Sequence, residues 1–242
     1  MSLSCKKCGT NNYVKNGFVR GNQRFLCKVC GYRFTDTPGY GYPLSMRYHA
    51  AILYLCGISI TCSAFSLDVA PSTVPAWLEW IANEHPPRAI SKGAVVVIEL
   101  DEMWLYLNSK EHKLWIWKAI NHETGELIDW ECGDRSVETA KLLIGRLQKT
   151  GARLYISDEY AVYVTLIPVG KIYQGQDKTH GIERNNGRQR HCFARFRRRS
   201  IVVSRAKRMV DVTMALFARF RVNGSLQEIM QLTAFSRHAL VA

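Results

Sequence analysis

The chain has 242 residues, 47% hydrophobic and 22% charged, which excludes wholesale disorder and leaves room for one large domain or two to three small ones. Thirty-three Lys and Arg against 20 Asp and Glu give a net charge of +13, which points to a polyanionic partner, nucleic acid first. The longest apolar runs, at 50–58 and 94–98, fall short of the roughly 20 residues that a spanning helix needs, and the opening MSLSCKKCGT has no apolar signal region. A soluble, intracellular globular protein with no membrane partner is the expectation.

The first sharp signal is cysteine spacing. Cys5-Lys-Lys-Cys8 and Cys27-Lys-Val-Cys30 are two C-x-x-C pairs with eighteen residues between Cys8 and Cys27, within the spacing of a four-cysteine zinc site. Gly9 and Gly31 follow the pairs and let the backbone turn tightly around two thiolates. Four thiolates close a tetrahedral Zn²⁺ shell and leave no open position, so the metal is structural. Asn16-Gly17 is a hairpin signal, and Phe18, Phe25, Tyr32 and Phe34 offer a small apolar face. A segment of this size buries too little surface to fold unaided, which a metal remedies. A redox dithiol is the weaker alternative, because such motifs rarely come doubled. Residues 1–40 are therefore read as a zinc ribbon. Cys56, Cys62, Cys132 and Cys192 lack partner spacing and read as core or neutral thiols.

The segment 37–43 is dense in Gly and Pro and reads as a linker. Helical periodicity then runs over 44–56 and ends at Gly57, a natural residue for a helix C-terminus. A short helix over 61–67 and a third from Pro71-Ser72 through Ile81 follow, with Ser72 as cap and Pro75 tolerated in the first turn. Three helices with a tight turn before the last match a helix-turn-helix over 41–90, although many three-helix pieces bind no DNA. From residue 91 the texture changes. Strands are expected over 95–107, 114–120 and 127–132, with a turn at His122-Glu-Thr-Gly125. An amphipathic helix over 137–149 precedes short strands at 153–157 and 171–174. Helices follow from Glu183 onward and over 205–221. Three meander strands followed by alternating helix and strand give an α+β fold with a mixed sheet over 91–242.

Asp101 stands at the centre of a hydrophobic strand, where a carboxylate is costly unless something positive pairs with it. Alternation puts Glu99 and Asp101 on one face and Glu102 on the other. Asp158 closes another apolar strand, and Glu183 begins a helix on which Arg190 lies two turns further along the same face. Two aspartates from adjacent strands and a glutamate from a helix can hold a pair of Mg²⁺ ions for phosphodiester chemistry. Ordinary salt-bridge acids are the competing reading. Asp129, Asp134, Glu138 and Glu159 read as solvated or structural. Arg195, Arg197, Arg198, Arg199, Arg205, Lys207 and Arg208 form a dense basic run suited to holding phosphates, or else a solvated face.

Glu99-Leu-Asp-Glu-Met-Trp104, Trp115-Ile-Trp117 with Gly133-Asp-Arg135, Ser157-Asp158, and Thr179-His-Gly-Ile-Glu-Arg-Asn-Asn186 resemble the transposases of the insertion sequence 1 family. The resemblance covers nearly the whole chain. It implies a zinc ribbon, a helix-turn-helix and a ribonuclease-H-like catalytic domain of the DDE type. Its catalytic triad falls on Asp101, Asp158 and Glu183, with 24 residues between the last two and Arg190 as the basic residue two turns on. One departure is local: Glu159-Tyr160 follows the second aspartate, where the family usually has a glycine and an aromatic. The resemblance further implies Mg²⁺ or Mn²⁺ as catalytic ions, structural Zn²⁺, and double-stranded DNA (the element's terminal inverted repeats and a target) as partner. It also implies a homo-oligomer in the DNA complex and a cytoplasmic, nucleoid-associated location. A noncatalytic DNA-binding regulator and a simple metal-dependent nuclease are the alternative functions.

Overall fold

The computed structural model describes residues 3–5, 7–19, 21–35, 42–87 and 95–238, the side chains of 176 and 234–238 excepted. The chain divides after Pro43 into two compact units. Most of the expected linker, and the boundary expected near residue 90, lie outside the described residues.

In the first unit, β1 (Tyr13–Val19), β2 (Asn22–Cys27) and β3 (Arg33–Thr35) form an antiparallel sheet in that order. The chain reverses between Val19 and Asn22, not at Asn16-Gly17 as expected from sequence. Gly17 instead takes a positive φ of 71° inside β1, where the register with β2 shifts between Lys15 and Phe18. Such a bulge re-aims the residues beyond it, and Phe18 stands 70% exposed. Tyr32 is exposed as well, so the apolar face is smaller than expected. Phe25 and Phe34 pack with Cys5 and Cys27, and the Tyr13 ring meets both phenylalanines edge-on at 5.2 and 5.7 Å.

The second unit begins with α1 (Leu44–Leu55), α2 (Ile60–Ser66) and α3 (Thr73–Glu84), close to the spans that periodicity indicated. Gly57 ends α1 at φ 92°, with Ile58 N–H donating to Leu53 O at 3.1 Å, the glycine-terminated closure that its position suggested. Ser59 caps α2 by accepting from Cys62 N at 3.1 Å. Ser72 makes no such bond: its backbone is already helical and its side chain leaves the end of α3 uncapped.

The sheet contains β4 (Val97–Leu107), β5 (Ser109–Asn121), β6 (Leu127–Gly133), β7 (Leu154–Ser157) and β8 (Ile172–Gln174). Their order is β6-β5-β4-β7-β8, with the first three antiparallel and β7 and β8 parallel to β4. A three-strand meander extended by parallel strands beyond its first member is the ribonuclease-H-like arrangement. The helices are α4 (Val137–Leu147), α5 (Ala161–Leu166), α6 (His180–Cys192), α7 (Lys207–Phe217) and α8 (Leu226–His238). Neither α5 nor α8 was evident from sequence, and α6 starts three residues before Glu183.

Strand pleating sorts β4 into two faces. Ile98 and Leu100 join Trp117, Leu143, Leu147 and Tyr163 under α4 and α5. Met103 and Leu105 join Ile182 of α6, Phe217 of α7 and Tyr54, Leu78 and Ile81 of the first three helices. The α1–α3 group thus shares one core with the sheet rather than standing alone. The end of α1 and the end of α6 also meet closely, since a Cβ added at Gly57 would lie 2.7 Å from the Cys192 carbonyl oxygen. Gly57→Ala therefore combines a left-handed backbone with a clash against main chain. We expect it to lower unfolding stability by about 1–3 kcal/mol, read as a reduced urea midpoint.

Candidate active site

Parallel pairing of β4 with β7 runs Val97 with Leu154, Ile98 with Tyr155 and Glu99 with Ile156. Two residues further along the same register, Asp101 comes level with Asp158, just past the end of β7. Glu183 projects from the first turn of α6. Asp101, Asp158 and Glu183, with Leu100 and Thr179, line one cavity of about 170 Å³. The structure therefore brings together the three acids singled out from sequence.

Buried polar contacts hold α6 in place above them. Glu99, 1% exposed, accepts from Ile182 N at 2.7 Å through one carboxylate oxygen and meets His122 Nδ1 at 2.6 Å through the other. A negative group here also suits the positive end of the helix. Gly181 makes room for it, because a Cβ at that position would lie 2.7 Å from Glu99 Oε1. Lys118, wholly buried and opposite Asp101 on β5, donates to Asn185 Oδ1 at 2.9 Å and Gln189 Oε1 at 3.1 Å. Asn186 Nδ2 donates to Asp101 Oδ2 at 2.5 Å, while the other Asp101 oxygen accepts from Glu102 N at 2.8 Å. Asp158 Oδ1 accepts from Tyr160 N at 3.1 Å. Glu102, on the opposite face as alternation required, pairs with Arg135 at 3.0 Å.

Burial and charge act against one another at Asp101. Burial raises the Asp101 carboxyl above its ordinary range and Asp158 adds to the rise, while Lys118 and the hydrogen bonds from Glu102 N and Asn186 oppose it. Burial brings Lys118 down to about 7, against the pull of Asp101. Hard carboxylate oxygens around a small polar cavity suit Mg²⁺ or Mn²⁺. Among the described residues, the one group of three or more potential ligands lying within 4.8 Å of one another is the cysteine group, so the acid cavity is more open than a single-ion cage.

Arg190 lies half-buried beside this cavity, with its Nε buried and unpartnered in the structure. Burial and the neighbouring Arg198 lower its pKa, and Asp101 opposes them. The seven basic residues beyond it divide by what they touch. Arg197 donates to the carbonyls of Arg190 and His191 at 3.0 Å each and closes the end of α6. Arg208 pairs with Glu79, and Lys207 with Asp211 at 3.5 Å. Arg195 lies 5.5 Å above the Tyr54 ring and Arg198 5.2 Å above the Trp104 ring, with their charges open to an anion. Arg199 and Arg205 are exposed. Asp134 and Asp129 are structural: Asp134 accepts from Ser136 and Thr139 at the start of α4, and Asp129 pairs with Arg146 at 2.6 Å.

In the first unit the four cysteine sulfurs all lie within 4.8 Å of one another, with Cys5–Cys30 and Cys8–Cys27 at 3.6 Å. Sulfurs at the corners of a zinc tetrahedron are about 3.8 Å apart, given Zn–S bonds of about 2.3 Å. The same distances exceed a disulfide bond by far. Burial resists ionisation of Cys5, but amide hydrogen bonds from Cys8 and Lys7 outweigh it and bring the thiol down to about 6. Cys8 is helped by the Thr10 amide, yet desolvation and the other three thiols push it up to about 12. Four thiols this close ionise together only around a cation, which is the chemistry of a structural zinc site.

Residues 94–222 match a family model described as IS1 transposase. The chain belongs to the IS1 transposase family. It is 31% identical over 122 residues to insertion element iso-IS1n protein InsB of Shigella dysenteriae, covering 50% of this chain and 93% of that protein. It is 24% identical over 154 residues to insertion element IS1 2 protein InsB of Escherichia coli strain K12, covering 58% and 92% respectively. Among solved structures, the catalytic core domain of BIV integrase aligns with a TM-score of 0.34 at 14% identity, over 60% of this chain and 98% of that one.

Sequence reasoning missed Glu99, Lys118 and Asn186 as supports of the site. The signal for Lys118 was present, as a lone lysine inside the apolar run Trp115-Ile-Trp-Lys-Ala-Ile120. Two measurements follow. Cys27→Ser should release one zinc per chain, read by metal analysis, and unfold residues up to about 35 while the second unit keeps its unfolding transition. Because Lys118 has a folded pKa depressed to about 7, the unfolded chain holds the extra proton between that pH and roughly 10.4. The lysine's contribution to stability therefore rises with pH across that window, by an amount on the order of a few kcal/mol. Lys118→Met should flatten the rise in parallel denaturation series.

Proposed function

We propose that this chain is a DDE-type DNA transposase that binds the terminal inverted repeats of an insertion sequence, cuts their 3′ ends and joins them to target DNA. The observation that carries this reading is the shared cavity of Asp101, Asp158 and Glu183 at the junction of β4, β7 and α6. The three carboxylates would hold Mg²⁺ or Mn²⁺, which when bound supplies activation of the attacking oxygen and stabilisation of the leaving oxygen. Both cutting and joining are in-line displacements at phosphorus, so one site serves both with water or a DNA 3′-OH as nucleophile. Asn186 orients Asp101 by a hydrogen bond, and Lys118 acts on it through charge. Arg190, with Arg198 beside it, would hold a phosphate of the strand at the cavity.

The zinc ribbon and the α1–α3 group would contribute end recognition. The exposed side of α3 (Ala76, Asn83 and Glu84 among it) carries no Lys or Arg, so backbone contacts on this reading fall to cations outside that helix. Two element ends joined together call for more than one copy of the chain, and an intracellular, nucleoid-associated location suits the substrate. No helix among the described residues is long and apolar enough to cross a membrane.

Asp101→Asn, Asp158→Asn and Glu183→Gln preserve size and remove the charge that would hold the metal. Each should lower Mg²⁺-dependent cutting and joining of element-end DNA by at least about a hundredfold, while binding to that DNA survives. Arg190→Ala should retain part of the rate, and Glu138→Gln, an exposed acid on α4, should behave as the parent. Cutting by the triad variants at parental rates would sink the assignment. Cutting without joining by the parent would leave the nuclease alternative, and specific binding with neither step would leave the regulator.

A further inference from the structure

A second face of α6 carries a cluster of arginines. Arg184, Gly187, Arg188, His191 and Cys192, with Arg221 from the π-helical turn Ala218–Val222, line a shallow groove of about 470 Å³. Arg188 Nη2 donates to the Arg221 carbonyl oxygen at 2.8 Å, which ties the two sides together. Arg221 donates to Cys192 Sγ at 3.3 Å, while its Nε is buried without a hydrogen-bond partner. Among the described residues no carboxylate lines the groove or pairs with any of these three arginines. Three permanent positive charges therefore border one concave surface that has no carboxylate among its lining residues.

Gly187 forms the floor. A glycine inside a helix weakens it relative to alanine, and the fold gives no reason for one here: its φ is not positive, and an added Cβ would meet nothing within 4 Å. What the missing side chain leaves is open space between Arg184 and Arg188, the circumstance in which glycine permits a ligand to approach the backbone. Gly187 is one helical turn from Glu183, about 6 Å along the axis and on the same side. The groove therefore begins one helical turn from Glu183, on a helix that also lines the acid cavity.

We propose that Arg184, Arg188 and Arg221 form a phosphate-backbone groove over Gly187 that holds DNA one helical turn along α6 from the catalytic cavity. The proposal rests on the transposase reading and adds a path for the substrate that the triad alone does not define. DNA is the occupant that the charges select, since the groove offers guanidinium groups in number and no acid to pair with a basic partner.

The test uses the full chain and a short, fluorescently labelled duplex of arbitrary sequence, with binding followed by anisotropy across a salt series. R184Q/R188Q should flatten the slope of log affinity against log salt by about 2, as two phosphate contacts are lost. Gly187→Leu keeps every charge and is a better helix former. It should weaken binding by about tenfold or more while the thermal midpoint stays level or rises. Arg153→Gln, at the far end of β7 from Asp158, is the charge control and should stay near the parent in affinity. Should R184Q/R188Q and Gly187→Leu both bind the duplex as Arg153→Gln does, the groove assignment is overturned. Unchanged DNA binding with altered self-association in sedimentation overturns it too, in favour of a protein contact. Mg²⁺-dependent cutting by the parent, measured on the same preparation, reports separately on the transposase reading.

Discussion

The position of Glu183 relative to Asp101 depends on a seam of buried polar contacts between α6 and the sheet. Glu99 holds the first turn of the helix, Asn186 holds Asp101, and Lys118 reaches Asn185 and Gln189 from the neighbouring strand. A hydrophobic interface would also have held the helix, but with latitude for it to slide or rotate. Hydrogen bonds to charged groups fix register, and in a low-dielectric interior each unmatched group would cost far more than a matched one contributes. Gly181 shows how closely the seam is fitted, since no side chain can stand between α6 and the Glu99 carboxylate.

The seam also answers a difficulty the site creates for itself. Asp101 and Asp158 end up level on adjacent parallel strands, and Glu183 faces the same cavity. Three carboxylates repel one another, and burial makes the charged form of Asp101 harder still to maintain. Arg190 supplies a permanent counter-charge and Lys118, lowered to about 7, a partial one near neutral pH, so the fold tolerates the acids before any external cation arrives. That balance leaves the carboxylates under-neutralised, which is the condition a metal-binding site needs. Among the basic residues beyond α6, Arg195 and Arg198 stand over aromatic rings and Arg199 and Arg205 are exposed, while Arg197, Lys207 and Arg208 serve the fold.

Legibility in the sequence followed the range of the interactions involved. The cysteine pairs declare a four-sulfur cluster through spacing alone, because local turns fix each pair. Asp101 was visible as a charge in an apolar strand, and Asp158 as the end of another. The strand alternation that separated Glu99 and Asp101 from Glu102 is likewise local, and the structure has the same division. What escaped was set by tertiary pairing. Asn16-Gly17 has the composition of a hairpin turn, yet the pairing of β1 with β2 absorbs it as a bulge and turns Phe18 outward. Ser72 has the right chemistry for a cap but a helical backbone. The role of Lys118 depends on its meeting α6, some seventy residues away in the chain, and no periodicity reports such a contact.

The central claim is that Asp101, Asp158 and Glu183 together hold divalent metal, and a crystal soaked in Mn²⁺ tests it without recourse to activity. Anomalous difference density should appear in the cavity between these three side chains and vanish in crystals of Asp158→Asn soaked alike. Manganese bound elsewhere on the chain while this cavity stays empty, with the three carboxylates in the arrangement described, would contradict the account.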